Sequence, residues 1–348
     1  MSTRKNLALW RTALALVLMA AAVAFIGKTP TLEAQGRSDL ENRHQRLLPL
    51  FETQGVVFTD ADETRDRLVV GVLNRGLAGQ VRGRLRALGV DADSVDIVET
   101  EPIVALASLR DRSTSIVGGL QIRFSQYLCS LGFPALLGST AGFVTASHCS
   151  DNQGAVDGTT YYQPLDQVGS DIIGTEIADP AYVRGGGVGC PKSRRCRRSD
   201  ANFSQSSDQR SMMVGRIART TGLGSLEINS SNSTFTITGE IESANVTKGL
   251  AANKVGRTTG WTRGTVSNTC VNTSVSGSTI LLLCQTFVTS TGVIVQGGDS
   301  GSPVFTDESG GGVKLLGGLW GGNQSGTQFV YSPIDNIRAE LGALLSTH

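Results

Sequence analysis

Gly297-Gly298-Asp299-Ser300-Gly301-Ser302-Pro303-Val304 sets glycines on both sides of a serine. Glycine adopts backbone angles that other residues resist, so this stretch can turn sharply and present the Ser300 hydroxyl. The same turn can aim the N–H groups of Gly298 and Ser300 at one point, where they would stabilise the oxyanion of a tetrahedral intermediate. Asp299 reads as a buried structural carboxylate holding the loop. Taken alone, the stretch reads equally well as an ordinary glycine–serine turn.

The surroundings of the stretch decide between the two. Glycine supplies 43 of 348 residues and charged residues 18%, against usual values of about 7% and ~25%. From Ile116 onward, short apolar runs alternate with glycine turns, as at residues 138–144, 235–238, 280–283 and 315–320. Only residues 333–345 read as a helix, with Ile334, Ile337, Leu341 and Leu344 on one face. Strands in series closed by one helix imply an antiparallel all-β body of about 230 residues.

A serine nucleophile needs a base, and the chain holds three histidines: His44, His148 and the C-terminal His348. A terminal residue is poorly held, so His148, in Thr145-Ala146-Ser147-His148-Cys149 behind the apolar pair Phe143-Val144, is the candidate. The orienting carboxylate is sought in Arg198-Ser199-Asp200-Ala201-Asn202-Phe203. There Asp200 stands among small and apolar residues, and a buried carboxylate requires a hydrogen-bonding partner. On sequence alone Asp166, Asp171 and Asp179 compete with it.

Six cysteines stand at 129, 149, 190, 196, 270 and 284. No Cys-x-x-Cys pair is present, which argues against a zinc site or redox motif, and the reading implies no metal and no cofactor. Behind an export leader, an even count implies three disulfides, with 15 possible connectivities. The leader has a basic start at Arg4, Lys5 and Arg11 and an apolar run over residues 12–27. That run falls short of the ~20 residues that span a bilayer, so it reads as a signal peptide over residues 1–34, or alternatively as a retained anchor. A formal net charge of +1 gives no basis for a nucleic-acid partner.

Residues 36–66 carry scattered charges without period and read as a linker. A small strand–helix–strand unit follows, with a strand at residues 68–73, a helix carrying Leu77, Val81, Leu85 and Leu88, and a strand at residues 95–98. A second apolar run, residues 103–109, closes it. The expected division is thus a leader at 1–34, a linker and small α/β unit at 35–112, and the β body at 113–348.

Residues 116–348 resemble the chymotrypsin-type serine proteases, in particular the bacterial branch of α-lytic protease and the streptogrisins. The matching stretches are Ile116-Val117-Gly118-Gly119, Cys129-Ser130-Leu131-Gly132-Phe133, residues 145–149, 199–203 and 256–261, and the serine stretch. The resemblance covers about two thirds of the chain. It implies two antiparallel, Greek-key, six-stranded β-barrels with the catalytic groups between them. His148 matches the general base, Asp200 its orienting carboxylate, Ser300 the nucleophile, and Gly298 and Ser300 the oxyanion-hole donors. It also implies Cys129–Cys149, Cys190–Cys196 and Cys270–Cys284 bridges and a Lys254–Asp299 pair. Asn253 and Arg263 stand where some relatives carry a further disulfide.

The implied function is a secreted or periplasmic serine endopeptidase that acts as a monomer on polypeptides, with the α/β unit as a prosegment cut off near residues 112–115. Ile294, at the matching pocket-floor position, implies an apolar or small residue before the cut. Trp320 and Gly321 match the segment that pairs with substrate backbone, although Leu319 stands where serine is usual. The basic cluster at residues 192–198, five basic residues in seven, reads as a solvated disulfide-bound loop. A catalytically silent protease-fold binding protein, or an esterase using the same triad, are the competing readings.

Overall fold

A computed structural model describes residues 32–103, 106–186, 189–207 and 210–348, with side chains from residue 39 onward. Residues 1–31 of the expected leader lie outside the described residues, and residues 32–34 open helix Leu32–Gln45. Among the described residues no helix is long and apolar enough to cross a membrane. The chain forms two compact units, Met1–Ile103 and Val104–His348.

In the first unit, strand Arg67–Val72 is the centre of a three-stranded sheet. It pairs parallel with Val95–Glu99, and helix Ala78–Ala87 makes the crossover that a parallel pair requires. Val81 and Leu85 face the sheet from that helix and are fully buried with Leu68, Val70 and Val72. Residues 36–66 are not a linker. They continue helix Leu32–Gln45 and contain strand Val56–Asp62, which pairs antiparallel with Arg67–Val72. Its Asp60 and Asp62 lie on an outer strand, so they cost little there and hide the strand from a hydrophobicity reading.

The second unit is all-β. Gly260–Ser274, Ala251–Gly256, Pro303–Asp307, Val313–Gly322, Gln328–Pro333 and Ile280–Thr289 pair in a closed ring of six antiparallel strands. The other barrel runs from Phe133–Leu137 through Thr140–Thr145, Asn202–Ser206, Ile172–Ala178 and Thr160–Tyr162 to the hairpin Gln121–Phe124/Tyr127–Ser130. Tyr127–Ser130 and Phe133–Leu137 are consecutive halves of one bent strand, so the sheet returns on itself. Three pairings outside the barrels are parallel, contrary to a purely antiparallel body. Ser211–Ala218 joins Ser115–Gly118, Thr234–Glu240 joins Val313–Gly322, and Arg195–Arg197 joins Ile280–Thr289.

Strand Gly260–Ser274 alternates buried and outward positions up to Val266, then has no buried residue as it leaves the barrel. It projects with Ile280–Thr289 as a hairpin clipped by Cys270–Cys284. The final helix is Ile334–Leu341 and stops before residue 345, because Gly342 takes φ +103. Leu344–Leu345 then pairs with Phe133–Leu137 of the other barrel.

The boundary between the units lies upstream of the expected one. Leu109 is fully buried in the core of the second unit. The peptide around it is paired on both sides: Ile228 N–H donates to the Ala107 carbonyl, Leu109 N–H to Leu226, and Gln121 N–H to Leu109. Arg112 bonds Asp171 and Ser170. Residues 107–109 therefore belong to the second unit and do not close the first.

Truncating a fully buried leucine costs about 2–5 kcal/mol, whereas exposed positions cost within about 0.5. Leu109→Ala is thus expected to lower the urea-unfolding stability of the second unit by that larger amount, and Leu106→Ala, at a residue 71% exposed, to leave it unchanged. Equal effects would contradict the inlaid position of residue 109.

Candidate active site

Strand register brings His148 and Asp200 together. Asn202 pairs with Thr145 in the antiparallel ladder between Asn202–Ser206 and Thr140–Thr145. His148, three residues beyond Thr145, and Asp200, two residues before Asn202, therefore leave the ladder at the same end. His148 sits on the 3-10 turn Ser147–Cys149, and the Cys129–Cys149 bridge fixes that turn to the neighbouring hairpin.

His148 Nδ1 lies 2.5 Å from Asp200 Oδ2, and the His148 backbone N–H donates to Oδ1 at 3.1 Å. A carboxylate partner requires the proton on Nδ1, which leaves the lone pair on Nε2. The Asp200 side chain is 3% exposed and that of His148 34%. Burial disfavours the imidazolium, but the charge and hydrogen bond of Asp200 outweigh it and raise the His148 pKa above its ordinary value. Burial likewise works against the Asp200 carboxylate, and His148 holds its pKa below the ordinary value.

Arg197 closes the back of the pair. Its guanidinium, 1% exposed, bonds Asp179 at 2.6 Å and Glu340 at 3.1 Å. The same group donates to Ser147 Oγ at 3.1 Å and to the Ala201 carbonyl at 2.5 Å, so one cation ties the residue before His148 to the residue after Asp200. Asp179 is thereby occupied, and Asp171 is held by Arg112 and Arg210. The basic cluster is accordingly not solvated as a whole. Arg194 and Arg195 bond Ser278 and Thr279 on the projecting hairpin, and the loop is clipped by Cys190–Cys196.

The serine loop approaches from the other barrel. Ser130 N–H donates to the Ser300 carbonyl at 2.8 Å, and Ser130 Oγ to the Gly298 carbonyl at 2.9 Å. Gly298 and Gly301 take φ +93 and +90. A methyl at Gly301 would stand 2.2 Å from the Ser130 carbonyl oxygen, so only glycine lets the two segments touch. Among the described residues, the N–H groups of Gly298 and Ser300 have no hydrogen-bond partner within the protein. The Ser300 hydroxyl and His148 Nε2 are not hydrogen-bonded to each other, so the expected line of three groups is joined at its aspartate end. Such bonds tighten in substrate complexes of many enzymes.

Asp299 is fully buried and accepts from the N–H groups of Thr258, Thr259 and Gln296 and from Thr259 Oγ1. Lys254, equally buried, stands 3.3 Å from it, as the resemblance implied. Burial lowers the Lys254 pKa to about 8 against the pull of Asp299. Asn253 and Arg263 face one another across the ladder and are joined by an Arg263 Nε to Asn253 Oδ1 hydrogen bond of 2.9 Å. A polar contact thus occupies the place of a cross-link.

A cavity of about 560 Å³ opens on His148 and Asp200 and is bounded by the hairpin tip at residues 273–276, Phe287, Trp320 and Gly321. His148 and Asp200 are its only ionisable lining side chains. Ile294 is not part of the lining. Its side chain is buried in the core of the six-stranded ring, and its N–H donates to the Gly326 carbonyl. His348 is less loosely held than a terminal residue would suggest, since its N–H bonds the Ile237 carbonyl. His44 bonds Thr59 in the first unit.

The fold and the site define a two-barrel protein in which a half-buried histidine is hydrogen-bonded to a buried aspartate, and a glycine-flanked serine loop is hydrogen-bonded to Ser130 of the histidine-bearing barrel. No family model and no curated protein matches the chain. Among solved structures it is similar to Thermobifida fusca protease A, with 24% identity over 67% of this chain and 100% of that one at a TM-score of 0.47. It is similar to a Nocardiopsis protease at 23% identity with the same coverage and TM-score. It is also similar to a Cellulomonas bogoriensis chymotrypsin, at 20% identity over 67% and 98% of the two chains and a TM-score of 0.44. These are bacterial proteases of the kind that the sequence motifs resemble.

Removing one member of a buried ion pair leaves the other uncompensated, at a cost of about 3–5 kcal/mol. Lys254→Met is expected to lower urea-unfolding stability by that amount. A loss below about 1 kcal/mol would show that the pair contributes no more than an exposed one.

Proposed function

We propose that the second unit is a serine endopeptidase in which Ser300 is the nucleophile, His148 the general base and Asp200 its orienting carboxylate. The 2.5 Å contact between His148 Nδ1 and the buried Asp200, on the wall of a cavity, carries this reading. Ser300 Oγ would attack the peptide carbonyl while His148 Nε2 takes its proton, and the imidazolium so formed is stabilised by Asp200. The N–H groups of Gly298 and Ser300, without partners of their own, would receive the oxyanion. His148 then protonates the departing amine, and water resolves the acyl-enzyme by the same path in reverse. Neither Ser300 nor Ile294 lines that cavity, so the preference for an apolar or small residue before the cut rests on the uncharged side chain of Ile294.

The three disulfides support export to an oxidising compartment. If the first unit acts as a prosegment, its removal falls upstream of residue 107. A cut near residues 112–115 would strip Leu109 from the core and free Asp171 from Arg112.

A phosphonylating reagent is expected to label Ser300, and Ser300→Ala to abolish labelling and casein cleavage together; cleavage retained in that variant would refute the assignment. The active form needs neutral His148, whose pKa is raised. Activity should therefore fall with decreasing pH at a midpoint above about 6.5, the ordinary histidine value. A pH–rate profile flat through that range would exclude His148 as base.

A further inference from the structure

We propose that Gln153 is a positioning residue of the His148–Asp200 pair, a role that rests on the hydrolytic reading of the site. Asp200 accepts three hydrogen bonds at its carboxylate. Two come from His148 itself, and the third from Gln153 Nε2, 3.1 Å from Oδ1. Among the described residues, Gln153 is the only other side chain that donates to this carboxylate. Leu319, on the strand that passes the cavity, is buried and apolar and has no side-chain donor to offer.

The geometry fixes which way the amide points and why it stays there. An amide oxygen facing the carboxylate would be repelled, so the nitrogen must face it. That nitrogen carries two hydrogens, and the second serves Tyr182 Oη at 2.8 Å. The Tyr182 ring is itself held beneath the guanidinium groups of Arg195 and Arg197, each 5.4 Å from its centre. The backbone that carries Gln153 is also pinned, because Gly154 N–H donates to Asp179 Oδ2 at 2.8 Å and to Ser147 Oγ at 3.2 Å. A half-buried loop residue on the cavity wall is thus locked at both ends.

A donor on Oδ1 does two things. It fixes the carboxylate plane so that Oδ2 meets Nδ1, and it withdraws charge from the carboxylate, which moderates its pull on the imidazolium. The other ionisable groups against the pair are Arg197, with Asp179 and Glu340 behind it and no contact to Gln153, and Tyr182, which gives up its Gln153 donor when that residue is changed but keeps its place beside Arg195 and Arg197.

Gln153→Met keeps the length of the side chain and removes the donor. In the full chain, kcat is expected to fall about tenfold with KM within about twofold, and the acid limb of the pH–rate profile to move up by about half a unit. Tyr182→Phe, which removes one anchor of the Gln153 amide but keeps the donor to Asp200, is expected to move both quantities in the same direction by a smaller amount. The proposal is overturned if Gln153→Met leaves kcat and the acid limb at parental values. It is overturned equally if kcat falls only together with thermal stability while the limb stays put, or if Tyr182→Phe moves the limb further than Gln153→Met does. The His148 imidazole titration, followed by proton NMR, reads the contact without catalysis. An upward shift in Gln153→Met, beside cleavage that survives Ser300→Ala, would retain the contact and refute only the hydrolytic reading.

Discussion

One buried guanidinium holds the site's geometry. Arg197 reaches Ser147 on one side of the imidazole and Ala201 on the other side of the carboxylate, and its own charge is balanced by Asp179 and Glu340. A cation so enclosed is costly unless every donor is used, and the partners of Arg197 draw on all three of its nitrogens. Glu340 belongs to helix Ile334–Leu341 and also accepts from the backbone of Arg198 and Ser199. The terminal helix is thereby coupled to the approach of Asp200, far from it in sequence.

The two barrels share one cluster of buried apolar side chains, and hydrogen bonds to backbone register the serine loop across it. Ser130 offers its N–H to Ser300 and its hydroxyl to Gly298, while that hydroxyl accepts from Arg257 N–H. One small residue thus registers the serine loop against the barrel that carries the histidine. Asp299 and Lys254 supply rigidity from within the other barrel. The loop is therefore held on two sides before any ligand arrives.

How much of this the sequence discloses depends on whether the information is local. His148 is readable because histidine is scarce and a cysteine follows it, and Asp200 because small and apolar neighbours imply burial. The order of the three motifs then carries the two-barrel expectation. Arg197 is not readable as a clamp, since a run of basic residues looks like a solvated face and its acidic partners lie at positions 179 and 340. Gln153 sits in a loop without pattern, and no period or motif signals an amide aimed at a carboxylate. Val56–Asp62 escapes notice because an outer strand tolerates aspartates. The Ile294 position follows from counting back from Ser300, but counting does not reveal that the side chain turns into the barrel core. The unit boundary fails for a similar reason: the buried apolar residue at 109 and the exposed ones at 103 and 106 look alike until their surroundings are known.

The Cys129–Cys149 bridge has a consequence for where the protein can work. Cys149 adjoins His148, and Cys129 adjoins Ser130, the residue that grips the serine loop. A single covalent tie therefore spans from the imidazole turn to the seat of the hydroxyl. Thiol reductants that opened it would slacken both halves at once, so the poise of the surrounding glutathione or its absence becomes a condition of assembly, set by the compartment rather than by the fold.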